Sequence, residues 1–327
     1  MDILTDIAAA NGGYFRAAHA RDCGYTSRDL QRACRLGVIR RIRHGTYAFA
    51  DVWDDLSRED RHVTVTKAVV NESGGAVAAC SVSACAVRKM SLWGHDLTNV
   101  HVMRLGRGAS RREAGVVHHR AKITEADVEV VDGVPCVRAP RAVCEAGVET
   151  GLEAGVVLYD SALNLREVTE ESLDRQAAAM EHCPNTRKVR FGVRLADGRA
   201  ESPGESRNRF LFYRFNIPKP DLQVHIRAGD GRLIGITDVA WELYCHVGEF
   251  DGLVKYLRAF ADDNRSPEQV VIDEKLREEA IRREHKGMAR TIWSELDRSA
   301  AAETAGRTSS DLEWSRKTYA KNRVTIA

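Results

Sequence analysis

Two short apolar runs late in the chain each lead to a carboxylate, and that arrangement limits the fold more than any other feature. Leu233, Ile234 and Ile236 precede Asp238, and Leu243, Tyr244, Cys245 and Val247 precede Glu249. Runs of this kind read as neighbouring strands, and the short connection between them brings both acids to one region of a sheet. A third acid, Glu205, falls in the first turn of a helix started by Ser202 and Pro203, and Lys255 lies just past the second strand. Carboxylates gathered in this way are hard oxygen donors for Mg²⁺ (or Mn²⁺), and such an ion activates water for hydrolysis.

The surrounding pattern extends the sheet. Leu222 to Ile226 alternates as a strand, Gly229-Asp230-Gly231 turns the chain, and the Asp238 strand returns antiparallel. A charged helix follows from Pro267 or Glu268 to Glu284, and Met288 to Trp293 reads as a last strand. The expected order is α-β-β-β-α-β.

The first fifty residues have a different character. They hold eight Arg against four Asp, although the whole chain of 327 residues carries a formal charge of only +2. Nucleic acid would therefore meet local patches and not a global field. Ile3, Leu4, Ile7 and Ala8 repeat at helical spacing up to Asn11-Gly12-Gly13, and a second helix is expected from Tyr14 to Asp22. Thr26 and Asp29 form an N-terminal capping pair for a third helix, Ser27 to Leu36, which buries Leu30, Ala33 and Cys34. Its other face presents Arg28, Gln31, Arg32 and Arg35 together. A hairpin follows, with Arg40, Arg41 and Arg43 before the turn at His44-Gly45. Helix, helix, helix and basic hairpin is the order of a winged helix-turn-helix, in which Arg and Gln read base edges and wing Arg holds the backbone. The alternative is an arginine-rich solvated face on a protein-binding winged helix.

Between these ends, residues 51–200 read as a mixed α/β connector. Ala76 to Ala86 is rich in small residues and reads as a packed helix; Asn99 to Met103 and Gly115 to Arg120 alternate like strands. The basic loop Arg104 to Arg112 reads either as a phosphate contact or as a solvated loop. Neighbouring His118 and His119 on a strand point to opposite faces, so with His95 and His101 they read as structural or solvent-facing and not as a metal site. Residues 299–327 begin in a helix broken near Gly306, and then form either a disordered tail or a basic arm. Eight scattered cysteines without a C-x-x-C pair read as reduced thiols, and no apolar run is long enough to span a bilayer. A cytoplasmic protein with no membrane partner is the expectation.

Two resemblances follow from these motifs. Gly13-Tyr14-Phe15, Thr26 to Leu30 and Gly37 to Tyr47 resemble the N-terminal winged helix of the AbiEi antitoxin family. That likeness implies operator DNA as a partner and repression of a toxin–antitoxin operon. The stretch Glu249-Phe250-Asp251-Gly252 with Lys255-Tyr256, followed by Glu274-Lys275 and Arg277-Glu278, resembles the very-short-patch-repair-like branch of the PD-(D/E)xK nucleases. It implies a restriction-endonuclease-like αβββαβ domain over residues 201–298, in which Asp238, Glu249 and the Phe250 carbonyl hold the metal and Glu205 binds it directly or through water. Asp251 stands where the superfamily usually has Lys; it can add a ligand on the same strand face but cannot orient water as a cation would, and Lys255 is the substitute.

The expected whole is a multidomain α+β protein: a winged helix (residues 1–50), a connector, the nuclease-like domain and a basic tail. Its expected function is metal-dependent cleavage of double-stranded DNA, in phage defence or mobile-element biology. The alternative is an AbiEi-type repressor whose inactive nuclease fold serves dimerisation, as a homodimer, or contact with a cognate toxin.

Overall fold

The computed structural model describes residues 3–106, 108–251, 267–284 and 286–319. The chain forms two compact units, Met1–Leu195 and Ala196–Ala327.

The first unit begins with α1 (Ile3–Ala10), β1 (Phe15–Arg16), α2 (Ala17–Asp22), α3 (Ser27–Arg35), β2 (Ile39–Arg43) and β3 (Thr46–Phe49). The three strands form a sheet in the order β1-β3-β2. The helix expected from Tyr14 is shorter, because Phe15 and Arg16 pair with Tyr47 and Thr46. The aromatic ring decides this: as a strand residue Phe15 is fully buried, 5.8 Å from the Tyr47 ring and 5.2 Å from that of Phe49. Helix α3 starts as the capping pair requires, with Thr26 N–H donating to Asp29 Oδ2 at 2.8 Å and Asp29 N–H returning to Thr26 Oγ1 at 3.3 Å. Leu30 from α3 joins Leu4, Ala8, Phe15, Ala20 and Ile39 in one small core.

The unit continues through α4 (Ala50–Asp55), α5 (Arg58–Glu72), β4 (Val77–Ala79), α6 (Ser81–Val87), β5 (Val100–Arg104), β6 (Arg111–Glu113), β7 (Val116–His119), β8 (Val128–Val131) and β9 (Val134–Val137). Helices α7 (Ala139–Glu149), α8 (Leu152–Asn164), α9 (Glu170–Ala179) and α10 (Thr186–Leu195) complete it. The small-residue run expected to be one helix splits into β4 and α6 at Ser81, whose φ of 48° interrupts regular structure. The six strands make a mixed sheet in the order β6-β7-β5-β4-β9-β8, with β5 parallel to β7 and β4 parallel to β9.

The second unit runs α11 (Pro203–Arg214), β10 (Asp221–Arg227), β11 (Leu233–Trp241), β12 (His246–Asp251), α12 (Pro267–Arg283), β13 (Gly287–Ile292) and α13 (Ala301–Tyr319). Its sheet has the order β10-β11-β12-β13; the first three strands are antiparallel, and β13 returns parallel to β12. The α-β-β-β-α-β order expected from the pattern is thus present. One sheet face packs Val239, Trp241 and Phe250 with Leu211, Phe212 and Leu312. The other packs Ala240 and Val247 with Ile281 and Met288. Gly204 is required where α11 meets the sheet, since a Cβ there would lie 1.9 Å from the Phe250 ring.

The tail expectation is corrected. Helix α13 passes through Gly306 without a break and buries Ala305, Thr308, Leu312 and Ser315. Glycine inside a helix costs about 1 kcal/mol relative to alanine, and a single fully buried leucine returns more than that. Among the described residues no helix is long and apolar enough to cross a membrane.

His62, buried in α5, carries a measurable consequence. Its Nδ1 lies 3.0 Å from the Leu97 carbonyl, which can only accept, so Nδ1 holds the proton. Ser83 Oγ, 2.8 Å from Nε2, then donates to the ring while accepting the His101 amide at 2.8 Å. A second ring proton would make the Ser83 hydroxyl give up this bond and turn its own proton elsewhere. Burial lowers the His62 pKa from 6.5 to about 4. The unfolded chain therefore takes up this proton first: the stabilisation is whole above about pH 6.5 and is lost as pH falls towards 4. We expect a loss of about 1.4 kcal/mol per pH unit from this group across that window. Unfolding midpoints in urea at a series of pH values would show it, and His62→Asn should flatten the profile by one proton.

Candidate functional site

The exposed face of α3 is assembled by the burial of its other side. Leu30 anchors the helix in the core, which leaves Arg28, Gln31, Arg32 and Arg35 exposed. Arg41 is also exposed on β2, its Nε 3.4 Å from the Arg43 carbonyl. The remaining two basic residues of the hairpin are engaged. Arg40 makes a bidentate pair with Asp54 of α4, at 3.1 and 2.6 Å. Arg43 donates to the Ala114 carbonyl in the β6–β7 turn at 2.9 Å. The five freer groups could enter a groove and meet phosphates, whereas Arg40 and Arg43 would have to exchange a protein partner first.

In the second unit the expected carboxylates come from α11, β11 and β12. Val239 pairs with Gly248, and continuing that register sets Asp238 across from Glu249. Asp238 Oδ2 accepts the Phe250 amide at 2.7 Å. Glu205 is buried at the start of α11, where its carboxylate accepts from Ser202 Oγ at 2.8 Å, the Glu201 amide at 2.9 Å and Gln223 Nε2 at 3.2 Å. Gln223 reaches it from β10, where its φ of 53° takes it out of the regular ladder between Leu222 and Val224. Glu249 is neutralised by Arg277 of α12, Nη1 to Oε1 at 2.7 Å and Nη2 to Oε2 at 2.8 Å, and Arg290 of β13 lies 3.6 Å away. Arg290 also stands 4.0 Å from Asp251 and 3.6 Å from Glu278. Lys255 lies outside the described residues. The Phe250 ring is buried against Trp293 at 5.3 Å, and its backbone is registered with Thr291.

This donor set does not fit a divalent cation as arranged. The Glu249 oxygens are occupied by a guanidinium, and the Glu205 oxygens by three donors. Glu205, Asp238 and Glu249 do not form a group whose ligand atoms lie within 4.8 Å of one another among the described residues. Sequence reasoning missed Gln223, Arg277 and Arg290 as partners of these acids. None of the three carried a sequence signal: Arg290 meets Glu249 through a parallel register, and Arg277 through the packing of a helix on the sheet.

A second constellation lies in the sheet of the first unit. His118 and His119 do alternate across β7, but His119 shares its face with His101 of β5, the rings 5.1 Å apart. Glu149, the last residue of α7, lies 3.3 Å from His101 Nδ1 and 3.9 Å from His119 Nε2. The approach of His101 to His119 was not readable from the sequence: parallel pairing of β5 with β7 brings together residues far apart in the chain.

The Arg277–Glu249 pair supports a stability prediction. The two side chains are 25% and 12% exposed, so removing the cation strands a mostly buried carboxylate. Arg277→Ala should cost about 2–3 kcal/mol, below the full penalty for a buried pair because Arg290 remains nearby. Arg277→Lys should recover only part, lacking the two-pronged geometry. Chemical denaturation of the two variants checks this.

Comparison with known proteins points to a family and to solved structures. Residues 2–50 match the model of a family described as transcriptional regulator, AbiEi antitoxin. No curated protein matches the chain. The crystal structure of the RV2827C protein from Mycobacterium tuberculosis is a distant likeness, 12% identical with a TM-score of 0.37, covering 63% of this chain and 78% of that one. The N-terminal part of this mixed α+β chain with several sheets is thus similar to the AbiEi transcriptional-regulator family.

Proposed function

We propose that the chain is a DNA-binding transcriptional regulator of the antitoxin kind, in which α3 reads duplex DNA and the second unit is a nuclease-type scaffold that works without hydrolysis. The observation that carries this reading is the face of α3: four side chains able to contact bases and phosphates, all exposed, on a domain matched to a regulator family. A helix fits the major groove, where Arg reads guanine and Gln reads adenine by paired hydrogen bonds. Wing Arg41, exposed on β2, would hold the backbone beside it. The second unit suits a binding role because Arg277 and Arg290 compensate Glu249. Its natural ligands are then a cognate toxin or a second copy of the chain.

Cleavage of DNA is the second reading. It is favoured by the αβββαβ order, which resembles PD-(D/E)xK nucleases, and by Asp238 lying across from Glu249. The two readings separate on supercoiled plasmid incubated with Mg²⁺ or Mn²⁺. We expect no nicking. Nicking that Asp238→Ala and Glu249→Ala each abolish would establish the second reading in place of the first.

Binding is tested by mobility shift on DNA from upstream of the chain's own coding sequence. Arg28→Ala, Arg32→Ala and Arg35→Ala should each weaken binding by about 1–3 kcal/mol where a base is contacted. Where a phosphate is contacted, the salt dependence should instead lose about one unit of slope. Arg40→Ala should change affinity least, because Asp54 already holds that guanidinium. Equal affinity of wild type and the triple α3 variant would end the proposal.

A further inference from the structure

We propose that His101, His119 and Glu149 bind one divalent transition-metal ion of the zinc class in the sheet of the first unit. The argument starts from distances. Zinc bonded to imidazole nitrogen and carboxylate oxygen at about 2.0–2.1 Å in a tetrahedron separates neighbouring ligand atoms by about 3.3 Å. Here His101 Nδ1 lies 3.0 Å from His119 Nε2 and 3.3 Å from Glu149 Oε2, and His119 Nε2 lies 3.9 Å from Glu149 Oε1. All three ligand atoms fall within 4.8 Å of one another. Two of these separations lie within a few tenths of an ångström of the tetrahedral edge, and the third is longer.

The ligands stand on rigid parts. His101 and His119 belong to paired parallel strands, and Glu149 closes a helix packed in the same unit. Ser81 Oγ donates to Glu149 Oε2 at 2.9 Å, which holds the carboxylate in place as an outer-shell partner does in built metal sites. Two imidazoles with one carboxylate favour zinc, cobalt or nickel over Mg²⁺, which prefers oxygen ligands and water. His101 and Glu149 also line a cleft of about 310 Å³ with His95, Asp96, Asn99 and Arg112, so a fourth position has room for water or a small anion. Three protein ligands and an open place define the site.

The full-length protein, stripped with chelator, is titrated with Co²⁺ followed by visible absorption and with Zn²⁺ followed by calorimetry. We expect one ion per chain, with the d–d bands of a tetrahedral nitrogen–oxygen site. His119→Ala and Glu149→Gln should each weaken binding by about 100-fold or more with unchanged circular dichroism. Exposed His182 lies elsewhere, and His182→Ala should bind like wild type. His119 and Glu149 are 31% and 36% exposed, so these two variants decide the matter even if His101→Ala does not fold. Absence of Co²⁺ bands and of heat overturns the proposal, leaving a hydrogen-bonded cluster. So does a thiolate charge-transfer band, or binding that survives both His119→Ala and Glu149→Gln.

Discussion

The bidentate pair between Arg277 and Glu249 is the interaction on which the second unit depends. Glu249 sits in the interior strand β12, 12% exposed, between antiparallel β11 and parallel β13. A carboxylate so placed costs several kcal/mol unless a cation meets it. One cation comes from α12, the crossover that any parallel pair of strands requires, and a second approaches from β13. The crossover helix and the returning strand are thereby both tied to one side chain. Ile281 and Met288 pack the same elements against Ala240 and Val247, so apolar contact and charge pairing specify one arrangement. The tie also occupies the oxygens that a metal would need, so structural and catalytic uses of Glu249 compete directly.

Where local chemistry decides, the sequence was legible. The Thr26–Asp29 capping pair, the buried Leu30 and the basic opposite face are properties of one nine-residue helix. The αβββαβ order was legible because Leu222 to Ile226 alternates, two apolar runs follow it, and a Gly-Asp-Gly turn and a charged helix mark two of the connections. Elements decided by distant partners were not. Phe15 and Arg16 leave helix for strand because β3 offers pairing and two aromatic rings. Helix α13 continues through Gly306 because Leu312 is fully buried in the core and Ser315 lies 2.8 Å from His246. The pairing of His101 with His119 depends on a parallel register between β5 and β7, and no turn announces such a register.

For the carboxylates, the sequence placed Asp238 and Glu249 on neighbouring strands but left their charge partners unread. Arg277 and Arg290 looked like ordinary cations on a helix and a strand, and both meet Glu249 in three dimensions. Motif spacing reports where donors stand in the chain; it does not report which donors have been neutralised. A near-neutral chain can therefore hold a basic helix face and an acidic strand pair at once, with neither visible in the sum.

The same reasoning separates arginines by availability and not by number. Arg40 and Arg43 occupy the wing, yet Asp54 and the Ala114 carbonyl already satisfy them, and a phosphate would have to replace those bonds at little net gain. Arg28, Arg32 and Arg35 carry the same charge on an exposed helix face. Releasing counterions from DNA favours the groups with least to give up, so α3 should carry more of the binding free energy than the wing that flanks it. On the proposed reading, a wing held in this way would contribute by its fixed position beside α3 and not by free charge.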